Sequence, residues 1–91
     1  MAFARSGLAR LGSHSTDAGA LWLYRTTDTA ATVNTADYFL SAINEINVGD
    51  VIFSMSATGG TPVLTVTYCS SNTGSAIDVV DGTVISATDT D

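Results

Sequence analysis

Residues 51–68, VIFSMSATGGTPVLTVTY, decide the fold class of this chain. Val51–Met55 is a run of large and β-branched side chains interrupted only by Ser54, and reads as a buried strand. Ala57 to Pro62 contains Gly59, Gly60 and Pro62 and reads as a hairpin connection. Val63–Tyr68 then alternates. This spacing puts Leu64, Val66 and Tyr68 inward and Thr65 and Thr67 outward.

Further strands follow on the C-terminal side. Ser70 to Gly74 is a turn, Ala76–Val80 a strand, and Thr83–Ser86 another after the Asp81-Gly82 turn. Upstream, Ala20–Thr26 is the first strand. Large residues on both parities mean that both its faces are covered or that one meets a partner. The strands are interrupted once. Asn34 can cap a helix from about Thr35 to Ile46, in which Phe39, Ile43 and Ile46 form an apolar stripe. The expected fold is mainly β: a small antiparallel sheet, or an incomplete barrel or sandwich, with one packed α-helix. Phe39, Ile43, Phe53, Leu64 and Val66 are expected to share its core.

Residues 1–18 (MAFARSGLARLGSHSTDA) differ in composition from the rest. They hold two of the three arginines, Gly7, Gly12 and a Ser/His/Thr cluster. Leu8 and Leu11 lie three apart, too little for a stable helix. The reading is an extended N-terminal arm (1–18) before a single small β-rich domain (19–91). Phe3, Arg5, Leu8, Arg10 and Leu11 are its candidate contacts with a neighbour. Alternatively the apolar members dock on the domain's own core. The tail, Ala87–Asp91, reads as polar and frayed.

Charge divides the chain in the same way. Arg5, Arg10 and Arg25 are its only basic side chains besides His14, and all lie in the first 25 residues. The remainder carries eight carboxylates and no base. That division suits an arm that meets an acidic or polar surface and a body that faces water. The acidic body disfavours nucleic acid. No stretch reaches the roughly 20 apolar residues of a membrane span, and no apolar signal-peptide core is present near Met1. With 45% hydrophobic and only 13% charged residues, the surface must be built largely from Ser, Thr and Asn. A single cysteine, Cys69, excludes an internal disulfide.

Few residues could carry chemistry. His14 lies in the Gly/Ser arm, without the rigid setting a catalytic base requires. Cys69 lacks the nearby positive charge that makes a thiolate. Asp78 and Asp81 supply two carboxylates where calcium takes six to eight oxygens. Gly59-Gly60 lacks the Lys of a phosphate loop. Trp22 and Tyr24 read first as core residues. With Arg25 they are also a candidate interface. No catalytic residue, metal ligand or cofactor is expected, and the inventory argues against an enzyme.

Several short motifs stand out in order. They are Leu21-Trp22-Leu23-Tyr24 with Thr27-Asp28-Thr29, Asp37-Tyr38-Phe39, Val48-Gly49-Asp50-Val51-Ile52, Gly74-Ser75 with Asp78-Val79-Val80-Asp81, and the ATDTD end. In this the chain resembles small structural proteins of tailed bacteriophages across roughly residues 7–91. The resemblance implies a virion component made in the host cytoplasm, most plausibly a head decoration (cement) protein. Such a protein binds the major capsid protein on the outside of the head at subunit junctions, beside neighbouring copies or as a homo-oligomer. A fibre, spike or tail attachment module, trimeric in one form, is the alternative. The motifs are structural, and no catalytic residue carries over.

Overall fold

The computed structural model describes residue 3, residues 5–15 (12–15 as backbone only) and residues 19–86. The expectation for the 87–91 tail falls outside them. Six strands form one open, mixed sheet: β1 (Leu8–Ser15), β2 (Gly19–Arg25), β3 (Val51–Ser56), β4 (Val63–Asn72), β5 (Ile77–Val79) and β6 (Thr83–Val84). The order is β1-β2-β3-β4-β5, with β6 also on β4. The mainly β expectation holds.

The sheet is not purely antiparallel. β2 and β3 run parallel, with Leu21 opposite Val51 and Arg25 opposite Met55. A parallel pair needs a crossover of a dozen or more residues, and residues 26–50 supply it. This crossover lies over one face of the sheet and builds the core there. Trp22, Tyr24, Val33, Phe39, Ala42, Ile46, Ile52, Cys69, Ile77 and Val79 are buried together.

The expected helix from Thr35 to Ile46 does not form. The chain instead makes one helical turn, α1 (Ala30–Val33), capped by Thr29, whose hydroxyl accepts from the Thr32 N–H at 3.3 Å. A 3-10 turn follows at Leu40–Ala42. Asp37 explains the break. Its φ is +66°, in the left-handed region. There its N–H donates to Ile77 O at 2.7 Å and its Oδ1 accepts the Ile77 N–H at 2.9 Å. Two bonds to β5 outweigh the short-range preference for helix. The apolar stripe survives in part: Phe39 and Ile46 are buried and Ile43 packs against the core.

The inward register of β4 is the reverse of the expected one. Thr65, Thr67 and Cys69 face the crossover and are buried, whereas Leu64 and Val66 are half-buried and Tyr68 is 50% exposed on the opposite face. β3 divides likewise. Ile52, Ser54 and Ser56 are buried, and Val51, Phe53 and Met55 lie on the other side. Period 2 separates two faces without saying which is covered. Tyr24, Phe39, Ile46 and Ile52 already fill the covered side, which leaves room for small side chains on β4. Phe53, Leu64 and Val66 are therefore not in the shared core.

Residues 8–15 do not form a free arm. They are extended, as expected, but pair with β2 from Leu8 opposite Tyr24 to Ser15 opposite Gly19, across the expected domain boundary. The alternative of docking on the chain's own core describes Phe3 and Leu8, which both pack against it.

Candidate interaction surface

The motif residues hold the fold together. Asp50 is 1% exposed and accepts three N–H bonds: Trp22 Nε1 at 3.0 Å, Asn47 N at 3.0 Å and Ala20 N at 3.1 Å. It thus ties the start of β2 to the end of the crossover. Tyr38 donates to Asp28 Oδ2 at 2.6 Å, which leaves Tyr24 as donor to Tyr38 across 2.9 Å. Burial, then the bonds to Asp28 and Tyr24, push the Tyr38 phenol well above its ordinary range. Asp28 is itself buried, and its Oδ1 has no hydrogen-bond partner among the described residues. In the sequence Asp28, Asp37 and Asp50 stand out only as members of short motifs, with no partner assigned to any of them. For Asp28 and Asp50 the one available signal is that each lies close to an aromatic or apolar strand, where a carboxylate must be satisfied to be buried.

The five arm residues separate into inward and outward groups. Phe3 stacks on Tyr24 (5.3 Å, 18°) and meets Tyr38 and Phe39 edge-on. Leu8 packs beside them. Arg5 pairs with Glu45 of its own chain, which raises its pKa further, though both side chains remain largely in solvent. Such pairs contribute little. Arg10 and Leu11 are exposed. Arg10 borders an open concavity of about 570 Å³ with Leu8, Trp22, Asn44, Glu45 and Asn47. β1 is an outer strand of the sheet. An outer strand leaves a row of backbone N–H and C=O groups available for another chain.

Of the candidate interface residues on β2, Trp22 (6%) and Tyr24 (0%) are core residues, so neither reaches a partner from this fold. Arg25 is exposed and makes no ion pair among the described residues. Arg10 and Arg25 are thus exposed cations with no ion pair among the described residues. Asp78 and Asp81 lie across the sheet, on β5 and just after it. The two arginines lie on opposite faces of the sheet: Arg10, opposite Trp22, is on the crossover side, and Arg25, opposite Met55, is on the other.

The other chemistry-bearing groups stay apart. Cys69 is fully buried and its thiol is pushed up, first by burial. The His14 side chain lies outside the described residues. Among those described, no three His, Cys, Asp or Glu side chains come together. Among the described residues no helix is long and apolar enough to cross a membrane. No protein-family model, curated protein or solved structure matches the chain.

Proposed function

We infer that this chain is a non-enzymatic virion structural protein, a decoration protein that binds the outside of a bacteriophage head where major capsid protein subunits meet. The observation that carries this reading is the outer strand β1. It offers backbone bonding groups and an exposed Arg10, with Arg25 on the neighbouring strand. A capsid strand or loop added to β1 would gain main-chain hydrogen bonds, and a carboxylate on it would meet Arg10. Arg5 contributes less, because it is engaged with Glu45. A ligand that binds the assembled shell but not dissociated subunits shifts the equilibrium toward the shell by mass action. Many copies per head make a small contribution from each sufficient.

The test is decoration of purified heads that lack the protein. Those heads are expected to release DNA at a lower temperature, and adding the protein back restores the difference. Binding should weaken as salt screens Arg10, and Arg10→Glu should weaken it at low salt. Equal heat resistance with and without the protein, together with tens rather than hundreds of copies per virion, would replace this reading with the attachment-module alternative.

A further inference from the structure

The face of the sheet opposite the crossover is covered by no described segment, yet it carries the bulkier side chains of β3 and β4. Cross-strand register assembles them into rows: Leu21–Val51–Tyr68 and Leu23–Phe53–Val66, with Met55–Leu64 beyond. On the covered face the same strands present Ser54, Ser56, Thr65 and Thr67. Much of the apolar content of the central strands therefore lies outside the monomer's core, as in an obligate interface that resembles a core cut in half.

We propose that this face is the interface between two copies of this chain, packed sheet on sheet about a two-fold axis lying in the interface plane. Extent supports a second copy. Five strand positions, counting β6, at about 4.8 Å spacing and five residues at about 3.3 Å give roughly 400 Å² in plan. That equals the largest apolar patch of a typical monomer, about 300–600 Å². Side-chain relief adds to this plan area, toward the roughly 800 Å² per partner of a stable interface.

Charge also favours a copy of the same chain. Arg25 sits at one corner of the face, in the row of Met55 and Leu64. Asp78 pairs with Ser71, beyond Tyr68 at the diagonally opposite corner, on the side away from buried Ile77 and Val79. A two-fold axis along the other diagonal lays Asp78 of each copy over Arg25 of the other and crosses the strands near 90°, a recognised sheet-packing class. Within one copy Arg25 and Asp78 stand at opposite corners of the face, and such a pair brings them together. This inference concerns the apolar face and Arg25, and leaves β1 and Arg10 free for another partner.

The experiment is sedimentation velocity of the full chain from micromolar to near-millimolar concentration. The wild type is expected to sediment as a dimer. Phe53→Asp and, at an already half-exposed site, Leu23→Asp should give monomers with unchanged far-UV circular dichroism. Val48→Asp, off this face, should leave the dimer intact. Arg25→Asp should raise the dissociation constant at least tenfold, and adding Asp78→Arg should recover it. A monomeric wild type over the whole range, or a dimer that survives both Leu23→Asp and Phe53→Asp, overturns the proposal. Failure of the charge swap to recover affinity overturns the crossed arrangement. A monomer that still decorates heads would sink this inference while leaving the decoration reading standing.

Discussion

A Cβ at Gly82 would lie 2.7 Å from Val66 O and 2.8 Å from Thr65 Cγ2, and the residue's φ is +81°. Gly74 has a similar φ, +89°, but open space around it. The pair separates backbone strain from crowding. Gly74→Ala is expected to cost about 1 kcal/mol, the left-handed penalty alone. Gly82→Ala adds a clash with β4 and should cost about 2–4 kcal/mol. Urea unfolding of the two variants checks the order. Tyr38 supplies a test by pH. Its folded-state pKa lies above the ordinary value of 10.0. Above that pH the unfolded chain has lost a proton that the folded chain keeps. The unfolded state then binds fewer protons, and stability falls as pH rises. Below it the contribution is fully present. Buried Cys69 acts with the same sign from its ordinary value of 9.0. Urea midpoints followed from neutral to strongly alkaline pH should decline, and Tyr38→Phe should flatten the decline above about pH 10.

At the scale of elements, the β3–β4 pair carries an internal conflict. Ser54 and Thr65 are cross-strand partners on the covered face, and neither hydroxyl has a hydrogen-bond partner among the described residues. A buried polar group left unsatisfied costs about 1–3 kcal/mol, and a matched apolar replacement recovers part of that. Ser54→Ala combined with Thr65→Val is expected to stabilise the chain by about 1 kcal/mol or more, read from the urea midpoint. An unchanged or lower midpoint would mean that an ordered water satisfies both hydroxyls. The crossover depends on different ties. Asn72 Nδ2 donates to Ile43 O at 2.8 Å and Ile46 O at 2.6 Å, which fastens the last turn of the crossover to β4. Asp37 fastens its middle to β5. These long-range bonds let a segment with broken helical geometry keep its apolar stripe over the sheet.

For the whole molecule, the N-terminal strand belongs to the domain. Phe3 completes the aromatic group of Tyr24, Tyr38 and Phe39, and β1 completes the sheet beside β2. Deleting residues 1–15 is therefore expected to destabilise the protein, rather than to release a folded domain that has merely lost an arm. Phe3→Ala should cost about 2 kcal/mol, and the deletion more, by thermal melting. A truncated chain with an unchanged melting temperature would restore the separate-arm view. The molecule then presents two surfaces of different character: an outer strand with exposed Arg10, and an apolar sheet face with Arg25 and Asp78 at opposite corners. The first suits a charged partner, the second another copy.

The sequence alone determined the strand content, because alternation and turn residues act over a few positions. The strands at 20–26, 51–55 and 63–68 were legible within a residue or two of their N-terminal ends, as was the burial of Trp22 and Tyr24. Which face of β4 is covered was not legible. Leu64 and Thr65 swap roles according to where residues 26–50 lie, and that follows from the parallel pairing of β2 with β3. The helix at 35–46 failed for the same reason, since Asp37 adopts its left-handed geometry to bond Ile77, forty residues away. The candidate surface was half legible: the basic residues were in view, but their sorting into paired Arg5 and exposed Arg10 and Arg25 depends on Glu45. Local pattern specifies which residues can form an element. Only the tertiary structure decides which side of it meets water, because burial is a property of the neighbours.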